Sequence, residues 1–432
     1  MYYLNLLLAK FRQIRETVFF KQLRTMLTGT FIGQSVMIGI IPVMSRLFTP
    51  ADLAIYAVIL AFSGLTATGA TLRYELTIIL PSDDKQADKL LIFCLQSIAV
   101  STLILIILLL QLTLLNTRIP FIDKIPPANL LITFWPLFHL FTATASCGSY
   151  LLTRQSDFRQ LSRAQIVRSS VMALAIIITG FLKLSYFGLL ISSLCAQVAF
   201  NYTLWHKNIF YFGKLFSAPD FQLLKKYRNF PSFSLPMSIL NVFSIDLLLY
   251  FLNFFTTPQF TGLYAKAVRV ISTPLNVLSL AFGSVFFKKL NTSKNRIEIY
   301  NLAFLLNLFT AFLILSPLIF WSEELFVFFL GSSWRDSGRI ATCLLPLTII
   351  RFAAGSVSQV YDVLHKNKIE LLLHSSYLAG SILLLWFCLD IQGCDYYSAI
   401  SIFAIWGAFA YLMLYLTGLR LLKRDPATVK AS

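Results

Sequence analysis

The stretch Pro231–Leu290, PSFSLPMSILNVFSIDLLLYFLNFFTTPQFTGLYAKAVRVISTPLNVLSLAFGSVFFKKL, decides how this chain is read. Residues 232–255 and 261–287 are two apolar runs joined by the short turn Thr256-Thr257-Pro258-Gln259-Phe260. As helices rising about 1.5 Å per residue, each crosses a hydrocarbon layer about 30 Å thick. Within them lie Asp246, Lys266 and Arg269. Counted from the turn, Asp246 lies roughly 17 Å back and Arg269 roughly 17 Å forward, so an antiparallel hairpin brings them to similar depth. A charge there costs about 3 kcal/mol even on a lenient insertion scale, and it normally faces a partner or a watery cavity.

Composition carries this reading to the whole chain. Of 432 residues, 57% are hydrophobic and 13% charged, and the mean hydropathy is +0.74. A soluble domain needs about 25% charged residues to cover its surface. The class is an all-α polytopic membrane protein. The net charge of +17 does not point to nucleic acid, because Lys and Arg cluster in short segments between apolar runs. Cys94, Cys147, Cys195, Cys343, Cys388 and Cys394 have neither zinc nor disulfide spacing and read as small core residues. The basic first 27 residues lack the layout of a cleavable signal.

About twelve spans follow, at residues 26–48, 53–72, 90–115, 130–152, 166–182, 186–205, 232–255, 261–287, 299–321, 339–361, 371–389 and 396–419. The expected organisation is a cytoplasmic amino-terminal segment (1–24), a six-helix bundle (25–206), a basic cytoplasmic linker (207–230), a second six-helix bundle (231–422) and a cytoplasmic tail (423–432), with a central cavity between the bundles. The amino-terminal segment and alternate loops hold 27 Lys and Arg, the opposite loops and span edges hold six, and three lie inside spans. That bias places both termini in the cytoplasm. An internal echo supports two halves: Thr49-Pro50 through Tyr56-Ala57 and Thr257-Pro258 through Tyr264-Ala265 both read T-P-x5-Y-A, after the first and seventh spans. Both halves enter from the same side, so the repeat is parallel.

Lys266 and Arg269, at i and i+3, share one helix face. With Asp246 they either neutralise one another and pin the hairpin, or leave a surplus cation facing the cavity to hold an anion. Arg351 lies about 18 Å into the tenth span with no acid near it in sequence. It is the strongest candidate for anion contact, with pairing to Asp246 as the alternative. Arg46 reads as a cavity cation or an anchor that snorkels to the interface. Arg73 and Glu75, at the inner end of the second span, read as an anchor or a gate. His139 is a proton relay or a satisfied core histidine. Pro42, Pro136, Pro236, Pro274, Pro317 and Pro346 interrupt several spans, where bends can form. There is no Walker loop, Rossmann fingerprint or zinc pair.

The runs Gly29-Thr30-Phe31-Ile32-Gly33-Gln34, Ser45-Arg46-Leu47-Phe48-Thr49-Pro50-Ala51-Asp52 and Leu72-Arg73-Tyr74-Glu75-Leu76 with Leu80-Pro81 resemble the Wzx-type flippases. These are bacterial polysaccharide-unit transporters of the multidrug/oligosaccharidyl-lipid/polysaccharide exporter superfamily. Lys226-Tyr227-Arg228-Asn229-Phe230-Pro231, Gly262-Leu263-Tyr264-Ala265, Phe286-Phe287 and Gly331-Ser332-Ser333-Trp334-Arg335 resemble the same family's later motifs. One departure is Ala54, where the second half keeps Gly262.

The resemblance implies a cargo of undecaprenyl-diphosphate-linked oligosaccharide, moved by alternating access from the cytoplasmic to the periplasmic leaflet of the bacterial inner membrane for O-antigen, capsule or exopolysaccharide synthesis. It implies a polysaccharide polymerase and a chain-length regulator as partners, and H+ or Na+ coupling without a bound cofactor. Arg269, Lys266, Arg351 and Arg46 would hold the diphosphate. Asp246, Arg73, Glu75 and His139 are the coupling or gating candidates. A drug or cation exporter on the same fold should carry a negative cavity, and a polysaccharide polymerase needs a catalytic outer loop larger than residues 116–129 or 322–338. The chain is therefore expected to be a transporter, not an enzyme.

Overall fold

The computed structural model describes residues 18–114, 128–292, 295–364 and 366–424, and no side chains for a few of these. The amino-terminal lead-in to residue 17, the loop carrying Arg118, Asp123, Lys124 and Pro126-Pro127, Lys294, and the tail from residue 425 lie outside the described residues. Among the described residues, twelve helices of 20 residues or more follow one another: α1 Val18–Leu47, α2 Pro50–Gly69, α3 Asp84–Leu114, α4 Ala128–Arg154, α5 Phe158–Phe181, α6 Ser185–Trp205, α7 Leu235–Phe255, α8 Pro258–Thr292, α9 Arg296–Leu330, α10 Arg335–Gly355, α11 Asn367–Trp386 and α12 Tyr396–Arg424. Among the described residues ten are both long and apolar enough to span a membrane.

The T-P echo is a helix start used twice. Thr49 Oγ1 accepts from the Asp52 amide at 3.2 Å, while the Asp52 carboxylate accepts from the Thr49 amide at 2.9 Å. Thr257 Oγ1 accepts from the Phe260 amide at 3.3 Å. In both, the threonine satisfies an orphan amide and the following proline opens the helix, where its missing N–H costs nothing. For that reason α8 begins at Pro258, three residues before the apolar run.

One expectation is corrected. Residues 322–338 are not a loop: α9 continues to Leu330 through a kink at Trp321, four residues after Pro317. The apolar run Leu325-Phe326-Val327-Phe328-Phe329-Leu330 continues the helix beyond the kink. Pro236 occupies the second residue of α7, where the candidate span 230–255 changes from a π-helical turn at Phe230–Ser234 to α-helix.

By contacts the chain forms two units. The first contains residues 18–40, 59–114 and 128–239; in it α5 packs on α6, α3 on α4, and α4 on α6. Gly29 and Gly33, one helical turn apart, lie against Ser162, Gln165 and Ser169 of α5, so closely that a Cβ on Gly29 would fall 1.8 Å from Ser162 Oγ. Small residues give such close packing where lipid removes the hydrophobic drive between helices. Asn201 donates to the Phe141 carbonyl at 2.9 Å and accepts from Thr144 at 2.9 Å, joining α6 to α4. Arg154–Asp84 (2.8 Å), Lys89–Asp220 (3.0 Å) and Lys207–Asp157 (3.4 Å) join three successive even-numbered loops at one end of this unit.

The second unit contains residues 41–58 and 240–424; α10 packs on α9, α12 and α8. It includes the tip of the α1–α2 hairpin because three backbone carbonyls there are engaged. Trp334 Nε1 donates to Ser45 O at 2.8 Å, Lys266 Nζ donates to Ile41 O at 3.3 Å, and a Cβ on Gly262 would lie 1.7 Å from Pro50 O. Tyr300 and Tyr361 hydroxyls donate to the Tyr415 and Leu414 carbonyls at 3.1 and 2.6 Å, fastening α12.

Candidate functional site

In the second unit, α7, α8, α10, α11 and α12 bring charged and tyrosyl groups together in the interior. Arg351, in the fourth to fifth turn of α10, places its guanidinium carbon 5.9 Å from the Tyr411 ring centre. Asp246 of α7, Tyr264 of α8 and Tyr377 of α11 lie within its electrostatic reach. Asp246 and Arg351, whose pairing is the alternative the sequence offered to anion contact, lie within electrostatic reach of one another but form no ion pair inside 4 Å among the described residues. Both remain partly exposed.

Lys266 sits differently from its neighbour Arg269. Its ammonium has no exposed surface, donates to Ile41 O, and lies 5.0 Å from the centre of the Trp334 ring. It does not pair with Asp246. The π face of an indole and a carbonyl oxygen both attract a cation that cannot reach water. Arg269, one turn on, is partly exposed and forms no ion pair among the described residues. Arg46, in the last turn of α1, is exposed.

Glu370, His374, Tyr377 and Ser381 were not singled out from sequence. Their spacing of four, three and four residues puts them on one face of α11, a polar stripe in an apolar helix. That periodicity was the available signal. Glu370 Oε1 lies 4.0 Å from His374 Nε2, and the His374 ring meets the Tyr411 ring edge to face at 6.1 Å. Among the described residues, the interior of this unit holds three cations (Lys266, Arg269, Arg351) against three acids (Asp246, Glu370 and Asp52, the last taken up by the α2 helix start).

The first unit holds the remaining candidates. After α2 the backbone turns through two consecutive left-handed residues, Leu72 (φ 53°) and Arg73 (φ 64°). Such conformations cost non-glycine residues about 1–3 kcal/mol and persist only where surroundings impose them. Here the turn presents buried Glu75 to two donors, Arg73 Nη1 at 2.9 Å and Thr71 Oγ1. His139 of α4 lies 3.0 Å from Ser101 Oγ of α3, and its Nδ1 is buried without a hydrogen bond. Of the cysteines, Cys94, Cys147 and Cys388 are buried, and all six are free thiols. No group of three or more metal-ligating side chains occurs among the described residues.

The chain matches, over residues 43–339, the family model described as polysaccharide biosynthesis protein. No curated protein sequence matches it. Among solved structures, the lipid II flippase MurJ in an inward closed conformation superposes with a TM-score of 0.71 at 15% identity, covering 94% of this chain and 89% of that one. A multidrug resistance MATE family transporter of the MOP superfamily, inward-facing, gives 0.61 at 13% identity, covering 93% and 96%. A MOP superfamily transporter from Pyrococcus furiosus, whose reported distinction is a binding pocket of reversed polarity, gives 0.63 at 14% identity, covering 94% and 97%. The fold is that of these transporters, with about twelve helices, as the motifs led one to expect.

Proposed function

Because this chain belongs to the polysaccharide biosynthesis protein family, we propose that it is a flippase for undecaprenyl-diphosphate-linked oligosaccharide units in surface polysaccharide synthesis. The observation that carries the reading is the pair of interior arginines in the second unit, Arg351 and Arg269, both partly exposed and in no direct ion pair among the described residues. A diphosphate brings about two negative charges, and the guanidinium fork suits its oxygens. Arg351 and Arg269 take the diphosphate, Arg46 receives it near the end of α1, and Lys266 adds its charge from behind Arg269. The polyprenyl tail stays in lipid while the headgroup crosses between two access states.

An H+ or Na+ gradient drives the exchange. Asp246 is the better coupling carboxylate, since Glu75 is already held by Arg73 and Thr71. The Arg73–Glu75 turn acts as a gate, and His139 stays a core group bonded to Ser101. The basic loops joined at one end of the first unit support putting that end, and both termini, in the cytoplasm of a bacterial inner membrane. A polymerase and a chain-length regulator act on the delivered units.

The test is a strain that depends on this protein for its surface polysaccharide. Arg269→Ala with Arg351→Ala should abolish the polymer and leave lipid-linked units accumulating on the inner leaflet, with protein levels unchanged. Normal polymer from the double variant would overturn the assignment.

A further inference from the structure

The basic linker between α6 and α7 is not a solvated loop. Its inward side chains Tyr211 and Leu223, with Phe212, Leu215, Leu224 and Tyr227 beside them, pack on the core of the first unit. Its outward side chains are also apolar: Ile209 is 69% exposed, Phe210 52%, Phe216 101% and Phe221 73%. A segment with one apolar set in the core and a second outside it has two apolar surroundings, and the second belongs to no other part of the described chain.

The anchoring of the linker to α3 sets its depth. Tyr211 OH donates to Asp88 Oδ1 at 2.5 Å. Gln96 Nε2 then donates to the Leu215 and Ser217 carbonyls at 2.8 and 2.6 Å. Lys89 Nζ finally pairs with Asp220 at 3.0 Å. The chain thus travels from the level of residue 88 to that of residue 96 and back to that of residue 89. Along a helix this is a dip of about 10 Å, into the apolar stretch of α3 that begins at Leu90, with Phe216 at its tip. Gln96 supplies donors to two carbonyls at the tip, which irregular backbone needs at membrane depth. Lys207, Lys214, Lys225, Lys226 and Arg228 are exposed around the dip, and the one acid, Asp220, is already paired.

We propose that residues 209–226 form a re-entrant wedge at the bilayer surface, with Phe216 among the acyl chains and Lys214, Lys225 and Lys226 on anionic phospholipid headgroups. The occupant is lipid because the wedge descends beside a spanning helix and joins two others, so its level is the membrane interface. Its aromatic and cationic pairing matches an anionic headgroup over an apolar tail.

The experiment uses the full-length protein with Cys195, Cys343 and Cys394 replaced by Ala and a nitroxide at Phe216→Cys, reconstituted into vesicles with and without about one-third phosphatidylglycerol. Collision with oxygen should exceed collision with a water-soluble nickel chelate several-fold, the reverse of a label at Ser82→Cys in the polar α2–α3 loop. Adding Gln96→Leu should expose the label to nickel while the protein stays monodisperse. Lys214, Lys225 and Lys226 changed to Gln should remove the dependence on phosphatidylglycerol. A label as open to nickel as the Ser82 control would overturn the proposal. So would protection that follows protein density rather than lipid composition, which would mean a second copy covers the wedge. Protection identical in neutral vesicles would overturn its anionic part.

Discussion

Lys266 donates to the backbone carbonyl of Ile41, 225 positions earlier in the chain, at 3.3 Å. Ile41 O also accepts from Ser45 Oγ at 2.7 Å, so one carbonyl gathers both donors just before Pro42. The cation that sequence grouped with Arg269 is thus a clasp between α8 and α1, and Trp334 closes it by donating to Ser45 O.

Lys266→Met fills the same volume without a buried charge, and such replacements are often neutral or stabilising. The variant should therefore unfold at or above the parental temperature in detergent. Its charge acts on a bound diphosphate only at a distance, worth about 1 kcal/mol at an effective dielectric near 20, so affinity should fall about fivefold. A fall in unfolding temperature with unchanged affinity would assign Lys266 to structure alone.

Arg351→Lys keeps the charge but loses the planar fork that lies over the Tyr411 ring. Polysaccharide output should drop roughly tenfold, about 1.4 kcal/mol, nearly as far as with Arg351→Gln. Full output from the Lys variant, read by complementation, would mean that only the charge matters.

Gly262→Ala tests the crossing of α8 over the α1–α2 tip. The added Cβ would meet the Pro50 carbonyl oxygen 1.7 Å away, and backbone cannot swing aside as a side chain does. Overpacking of this kind costs about 1–3 kcal/mol, and thermal unfolding of the purified protein should show it. Ala54→Gly, which restores the residue that the motif keeps in the second half, should cost about 1 kcal/mol or less, the helix penalty of glycine.

Glu75→Gln keeps acceptors for Thr71 and Arg73 but loses the charge, whereas Arg73→Ala leaves a buried carboxylate with one fewer donor. The Arg73 variant should be the less stable by about 1–2 kcal/mol, discounted for the partial exposure of its guanidinium. The same unfolding assay checks the order.

Lys89 and the Leu223 amide hold the Asp220 carboxyl below its ordinary range. A depressed folded-state pKa contributes stability above the unfolded value of about 3.9, lost only as pH falls through the lower folded value. Amide exchange in residues 209–226 should therefore be steady from pH 5 to 8, after correction for intrinsic rates, and rise only in stronger acid. Asp220→Asn should raise it across pH 5 to 8 and remove the further rise in acid.

Most of the scaffold was legible because lipid imposes it: apolar runs of spanning length, charge bias between loops, and a Thr-Pro helix start repeated after the first and seventh spans. Where sequence failed, tertiary contact or backbone geometry decided. Residues 322–330 carry Glu323 and Glu324, which read as loop, yet the helix continues past the bend after Pro317. The linker carries five cations and read only as a basic cytoplasmic connection, because its tethers to Asp88, Lys89 and Gln96 lie more than 100 residues away. Of the candidate site, the sequence offered Arg351 as an anion contact or as a partner of Asp246, and the structure brings the two within electrostatic reach without a direct ion pair among the described residues. The α11 stripe was missed because glutamate, histidine, tyrosine and serine were judged singly rather than by period.

The most direct test is binding of the purified, full-length protein to three lipids that differ only in headgroup: undecaprenol, undecaprenyl phosphate and a sugar-bearing undecaprenyl diphosphate. The account predicts that the diphosphate binds at least tenfold more tightly than the monophosphate, and that Arg269→Gln with Arg351→Gln erases the difference while undecaprenol binding stays as it was. Equal affinity for all three lipids, or a diphosphate preference that survives in the double variant, would contradict it.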